Sequence, residues 1–138
     1  MPNEYRLLLC LLLVVVLQMT ALQVLADVDE TPHLSEQGLY SVSFDSALDP
    51  IEINRIHSWL LHIETVDGQS LQNAEISVDG GMPAHAHGLP TQPRVAANLG
   101  DGNYRLEGVR FHMPGSWEIT ITIEANGTTD RVVIALEL

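Results

Sequence analysis

Two stretches near the C-terminal end constrain the fold more than any other feature of the chain. Between 117 and 124, Trp117, Ile119, Ile121 and Ile123 alternate with Glu118, Thr120, Thr122 and Glu124. Between 131 and 138, Val132, Ile134, Leu136 and Leu138 alternate with Val133, Ala135 and Glu137. A period of two puts every apolar side chain on one face of an extended strand, whereas a helix would spread them around its axis. The β-branched content suits a pleated, half-buried surface. Five weaker runs share the pattern: 39–44, 55–64, 74–78, 95–99 and 104–109. In the 55–64 run His57, Trp59, Leu61 and Ile63 share one face, opposite Ile56, Ser58, Leu60 and His62.

Turn chemistry separates the runs: Asp49-Pro50, Asp67-Gly68, Asp79-Gly80-Gly81, Gly100-Asp101-Gly102-Asn103, Pro114-Gly115 and Asn126-Gly127. No convincing amphipathic helix follows residue 38. The expectation is an all-β, immunoglobulin-like β-sandwich of about seven antiparallel strands over 39–138, without the inter-sheet disulfide of antibody domains. Trp59 and Trp117 are its expected core anchors. His57, on the Trp59 face, is expected to be a satisfied core histidine, and His62 to be exposed.

The N-terminal region is of another kind. Residues 7–17 read LLLCLLLVVVL, after a short segment whose only cationic side chain is Arg6. Val24-Leu25-Ala26 then offers a cleavage site before Asp27. This is the layout of a secretory signal, expected to form a signal helix over 1–26. An uncleaved membrane anchor is the alternative, since 7–25 is just long enough to span a bilayer. Either way the remainder is expected outside the cytoplasm, in the periplasm or anchored to the inner membrane facing it. Residues 27–38, acidic and poor in apolar groups, are expected to be a flexible linker containing a solvated His33. The single cysteine, Cys10, lies inside the apolar run, where a lipidation signal would place it after the run. Cleavage leaves no thiol for a disulfide, a metal or a nucleophile.

Charge narrows the function. The 138 residues carry 18 Asp and Glu against 6 basic residues, a net charge of −12. All the basic residues are Arg. Removing Glu4 and Arg6 together leaves that balance unchanged. Nucleic acid needs cationic side chains to replace its counterions, so nucleic-acid partners are excluded. A basic patch for anionic lipid is absent as well. The acidic field attracts cations and promotes solubility.

Residues 80–93 read GGMPAHAHGLPTQP, too rich in Gly and Pro for a regular central strand. Within it stand Met82, His85 and His87. In an extended chain the two His share one side and reach one point. Imidazole suits copper, zinc and nickel, and thioether sulfur prefers Cu(I). A fourth donor is expected from His112 or Met113. Neighbours on a strand point opposite ways, which admits one of the two, and Met113 is the preferred one. The competing reading is a rigid packed loop with hydrogen-bonded His residues and Met82 as a core plug.

The order Gly81-Met82-Pro83-Ala84-His85-Ala86-His87-Gly88-Leu89-Pro90, Pro93-Arg94-Val95, Asp101-Gly102-Asn103-Tyr104 and Gly108-Val109-Arg110-Phe111-His112-Met113-Pro114-Gly115-Ser116-Trp117-Glu118 resembles the YtkA-like domain family. That family is related to the periplasmic part of FixH-type proteins. The resemblance spans 39–138 and implies a bacterial exported or membrane-anchored domain with an immunoglobulin-like sandwich. FixH-type relatives are linked to copper supply for respiratory oxidase assembly. The resemblance therefore strengthens metal binding at Met82, His85, His87 and Met113, with His112 in reserve. A bacterial source also makes Asn126-Gly127-Thr128 an accidental sequon.

Enzyme signatures are missing. The chain has no GxSxG, Walker or dinucleotide motif. A zinc hydrolase built on His85, His87, His112 and Glu118 is conceivable only on paper. Asp101-Gly102-Asn103 and Asp79-Gly80 lack the ligand count of calcium loops and read as hairpin turns. The expectation is a non-enzymatic metal-binding accessory or carrier, with copper favoured over zinc and a membrane or periplasmic protein as partner. The alternative is a structural or protein-interaction domain without metal.

Overall fold

The computed structural model describes residues 31–138, so the apolar run and its expected signal helix lie outside the described residues. None of the described helices is long and apolar enough to cross a membrane. The described residues form nine strands: β1 (His33–Leu34), β2 (Tyr40–Ser46), β3 (His57–Thr65), β4 (Glu75–Met82), β5 (His87–Gly88), β6 (Arg94–Gly100), β7 (Asn103–Val109), β8 (Ser116–Ala125) and β9 (Thr128–Glu137). A 3-10 turn, Pro83–His85, joins β4 to β5. Every strand pairing is antiparallel.

The strand order is β1-β2-β3-β7-β6-β4-β8-β9, with β5 beside β4. It divides into two layers, β1-β2-β3-β7-β6 and β5-β4-β8-β9. Between them, β6 meets β4 through the single register pair Ser77↔Arg94. The fold is the expected all-β sandwich, curled far enough to approach a barrel. All seven expected strands are present.

The alternation decides the packing. Trp117, Ile119, Ile121 and Ile123 on β8, with Val132 and Ile134 on β9, are buried. They face Trp59, Leu61 and Ile63 on β3 and Tyr104 and Leu106 on β7. Each such side chain contributes about 1.5–3 kcal/mol by leaving water. Both tryptophans are 1% exposed, as core anchors should be. Tyr104 adds a polar tie, its hydroxyl donating to the Leu71 carbonyl at 2.6 Å and accepting from the Ala74 N–H at 3.1 Å.

Two expected turns have hairpin geometry. Asp101-Gly102 joins β6 to β7 with φ of 50° and 76°, and Asn126-Gly127 joins β8 to β9 with φ of 52° and 76°. Two consecutive positive φ values match a type I′ turn and the right-handed twist of the strands it connects. The third expected turn, Asp79-Gly80-Gly81, is not a turn. Strand β4 runs through it to Met82, paired with β8 from Glu75 to Gly81. The glycines serve close approach instead. A Cβ on Gly80 would stand 2.5 Å from Ile119 Cδ1, and one on Gly81 would stand 2.8 Å from the His87 carbonyl oxygen.

The flexible linker expected over 27–38 does not extend through its second half. His33–Leu34 pairs with β2, and the His33 ring lies 6.2 Å from Phe44. His33 is thus part of the sheet and not a solvated linker residue. Asp130 on β9 holds the adjoining turn. Its buried carboxylate accepts from the Gln37 N–H at 3.1 and 3.2 Å, from Leu39 N–H at 3.3 Å and from Arg131 N–H at 2.8 Å. Burial pushes this carboxyl up, but hydrogen bonds from the Ser35 side chain and the Arg131, Gln37 and Leu39 amides outweigh it and hold it below its ordinary value.

Candidate functional site

The site begins at the end of β4. Met82 and His87 are direct partners in the β4–β5 register. Directly opposed residues on antiparallel strands project to the same face, so the thioether and the imidazole share a side. Between them the chain reverses over Pro83–His85, and Ala86 takes the left-handed conformation at φ 54°. The Ala86 N–H donates to the Met82 carbonyl at 3.1 Å, and Leu89 N–H donates to Gly80 O at 2.9 Å. This tight reversal stacks the His85 ring on His87, with centroids 5.8 Å apart and planes 22° apart. The two rings lie side by side, brought there by a turn and not by the extended chain expected.

A second segment completes the cluster. His112 lies between β7 and β8, outside regular strand. Its ring is 4.9 Å from that of His87. Met113 beside it packs partly against the core, and its carbonyl accepts the Trp117 Nε1–H at 3.0 Å. The preference for Met113 over His112 assumed strand alternation across this pair. The segment is not a strand, and His112 is the one that meets His87. Met82 is 2% exposed, and its Cε lies 3.0 Å from the position a Cβ would take on Gly115.

The polar atoms of this cluster are unevenly satisfied. Nδ1 of His87 and Nδ1 of His112 are both buried without a hydrogen-bond partner. A buried polar atom left unpaired costs roughly 1–3 kcal/mol, a state that Thr91 Oγ1 and Arg110 Nε share with the two imidazoles. Two imidazoles on one tetrahedral ion, with metal–nitrogen bonds near ~2.0–2.1 Å, hold their ring centroids about 5 Å apart. The His87–His112 spacing fits that separation. The fit stops at two imidazoles, because no three His, Cys, Asp or Glu side chains converge on one ion position among the described residues.

Outside the cluster runs an open groove of about 570 Å³, lined by Asp79, Gly81, Met82, His87, Glu118 and Arg131 among others. The guanidinium of Arg131 is engaged by Glu36 at 2.9 Å. Asp79 and Glu118 thus give the approach to Met82 and His87 a negative sign, which favours cations.

The remaining histidines lie elsewhere. His57 is buried, with Nδ1 3.1 Å from Arg55 O and Nε2 accepting the Trp59 Nε1–H at 3.1 Å. It is the satisfied core histidine expected. His62, expected to be exposed, is half-buried and lies 3.0 Å from both Asn103 Oδ1 and Glu64 Oε1.

The profile of the YtkA-like family matches residues 40–122, from the start of β2 into β8. The chain belongs to the YtkA-like family. No curated protein and no solved structure gives a significant match. The matched span of this YtkA-like domain contains Met82, His85, His87, His112 and Met113. It also contains Trp117, whose place beside the cluster was hidden in the sequence by its role in the β8 alternation. Its ring lies 5.4 Å from His112 and 6.1 Å from His87. The five-residue step from His112 to Trp117, across a Pro-Gly turn, was the available signal.

Proposed function

We propose that this YtkA-like domain is an exported, non-enzymatic carrier or accessory protein that binds copper. His87 and His112 supply the nitrogen donors and Met82 the thioether, with His85 and Met113 alongside. One observation carries the reading: two buried imidazole nitrogens without partners, on rings 4.9 Å apart. An ion bound between the rings would give these nitrogens a partner. Neutral imidazole is a strong ligand for Cu and Zn, and the adjacent thioether favours copper. The copper, as cargo, would pass to a membrane or periplasmic partner. Export is supported by the signal-like layout of residues 1–26, and the acidic groove suits an incoming cation.

The competing reading is a structural or protein-interaction domain without metal. It is favoured by the burial of Met82 and by the loop's own hydrogen bonds. Titration of Cu(I), Cu(II) and Zn(II) into the purified protein and into a His87→Ala/His112→Ala variant separates the two. The copper reading expects tight binding that the variant loses. Equal, weak binding by both proteins would establish the metal-free reading.

A further inference from the structure

We propose that a second copy of this chain docks on the outer face of the β2-β3-β7-β6 layer, about a two-fold axis running along β3 over Leu60. Alternation sets that face. Phe44, Trp59, Leu61, Tyr104 and Leu106 pack into the core, so Asp45, Leu60 and Arg105, which stand between them in the chain, turn to solvent. Register puts the three in one row, with Asp45 opposite Leu60 and Leu60 opposite Arg105. Together with exposed Leu99 they line a shallow depression of about 280 Å³.

The charges at the two ends of the row have no partner. Among the described residues the ion pairs are Arg55 with Glu52, His62 with Glu64 and Arg131 with Glu36. Asp45 and Arg105 take no part in them and do not reach each other. Paired strands lie about 4.8 Å apart, so two such spacings and the Leu60 side chain separate the two charges. A two-fold interface must be complementary to itself, residue i meeting j and j meeting i. Half a turn about an axis along β3 exchanges the β2 side of the row for the β7 side and keeps the row at the same level. Leu60 then meets Leu60 of the partner subunit, Asp45 meets the partner's Arg105, and Arg105 meets the partner's Asp45. The adjacent row, Arg94 opposite Glu107, is of mixed sign as well.

The other broad face of the sandwich cannot serve. Glu75, Asp79, Glu118, Glu124 and Glu137 are all exposed on β4, β8 and β9, and the one cation among them, Arg131, is engaged by Glu36. A copy laid there would set like charges together, which is strongly unfavourable. In the two-fold dimer these acidic faces point away from each other. They lie farther apart than the roughly 8 Å over which charges act at physiological salt. A face four strands wide makes a small interface, so the dimer is weak and reversible. Because the axis follows the strands, both copies point the Met82 end of β4 the same way.

Sedimentation equilibrium tests this from about 1 μM to about 1 mM, on protein recovered from cells expressing the full chain. Wild type is compared with Asp45→Arg, Arg105→Asp and the double exchange Asp45→Arg/Arg105→Asp. Wild type should show a monomer–dimer equilibrium. Each single reversal sets like charges face to face twice and should weaken the dimer by about tenfold or more. The double exchange restores both opposite-charge pairs and should bring the dissociation constant back to within about threefold of wild type. All the sites are exposed, so the circular dichroism of the variants should match that of wild type. Association governed by net charge, or by an acidic patch resting on Arg105, would instead tighten with Asp45→Arg and loosen with Arg105→Asp. That result, a wild type that stays monomeric, a dimer indifferent to the reversals, or a double exchange that fails to regain the dimer overturns the inference.

Discussion

The His87 ring lies 4.9 Å from the His112 ring, and each carries a buried Nδ1 without a hydrogen-bond partner. The two come from separate segments of a YtkA-like domain, and neither atom gains from the other as the rings stand. Such a pair opposes folding.

Replacing His112 with Phe should separate those two effects. The substitution removes an unsatisfied buried polar atom, so the metal-free domain should become more stable by about 1 kcal/mol, or stay unchanged. Copper affinity should fall at the same time. Thermal melts with and without Cu(I) measure both. A metal-free variant clearly less stable than wild type would mean that the His112 nitrogen is satisfied in solution.

Gly81→Ala addresses the backbone beneath the site. The added Cβ would stand 2.8 Å from the His87 carbonyl oxygen, a backbone atom that cannot rotate away. Strand β5 must shift, and His87 with it. The expected cost is about 1–3 kcal/mol, with weakened metal binding. Gly127→Ala is a useful control: that site has open space, so its smaller penalty comes from φ +76° alone and should leave metal binding intact. Equal metal affinities in the Gly81 variant and wild type would contradict this account.

Asp130 should make stability depend on acid. Its folded carboxyl is held below the ordinary value, so the ionised form stabilises the native state. That contribution is fully present above the unfolded carboxyl's pKa of about 4 and is lost as pH falls through the lower folded value. Denaturant unfolding of wild type and Asp130→Asn from neutral pH to pH ~2 tests the sign. The stability gap between them should be widest at neutral pH and narrow toward acid. A constant gap would show that the carboxylate's charge is irrelevant.

His57→Ala should destabilise the domain without touching metal binding. It strands the Trp59 Nε1–H, now bonded to His57 Nε2 at 3.1 Å, and leaves a cavity beside Trp59 and Phe111. A loss of about 2–4 kcal/mol is expected from the combined unpaired donor and void. Chemical denaturation together with Cu(I) competition checks that only the first quantity changes.

Much of this was legible in the chain itself, for physical reasons. Period-two alternation is a local property, so Trp117 to Ile123 and Val132 to Leu136 declare both strand and buried face. Positive-φ turns at Asp101-Gly102 and Asn126-Gly127 declare themselves through residue type. The same reasoning failed at Gly80 and Gly81, because glycine also appears where two backbones or a backbone and a side chain come very close. It failed at 33–38 because the carboxylate that holds that turn, Asp130, is more than 90 residues away. Met82, His85 and His87 were singled out by donor type and spacing, and the fold sets Met82 opposite His87 with the His85 ring beside it. The choice between His112 and Met113 depended on the path of an irregular segment, which residue types do not encode.

Strands β4 and β6 touch at one register pair, Ser77↔Arg94, while β4 and β8 are paired from Glu75 to Gly81. Native-state breathing follows such differences, since the free energy of local opening is lowest where fewest pairings must break. The amide protons of β6 that face β4 should therefore trade with solvent deuterium well before those inside the β8–β9 ladder. The sheet would then part at this seam before its long ladders fray.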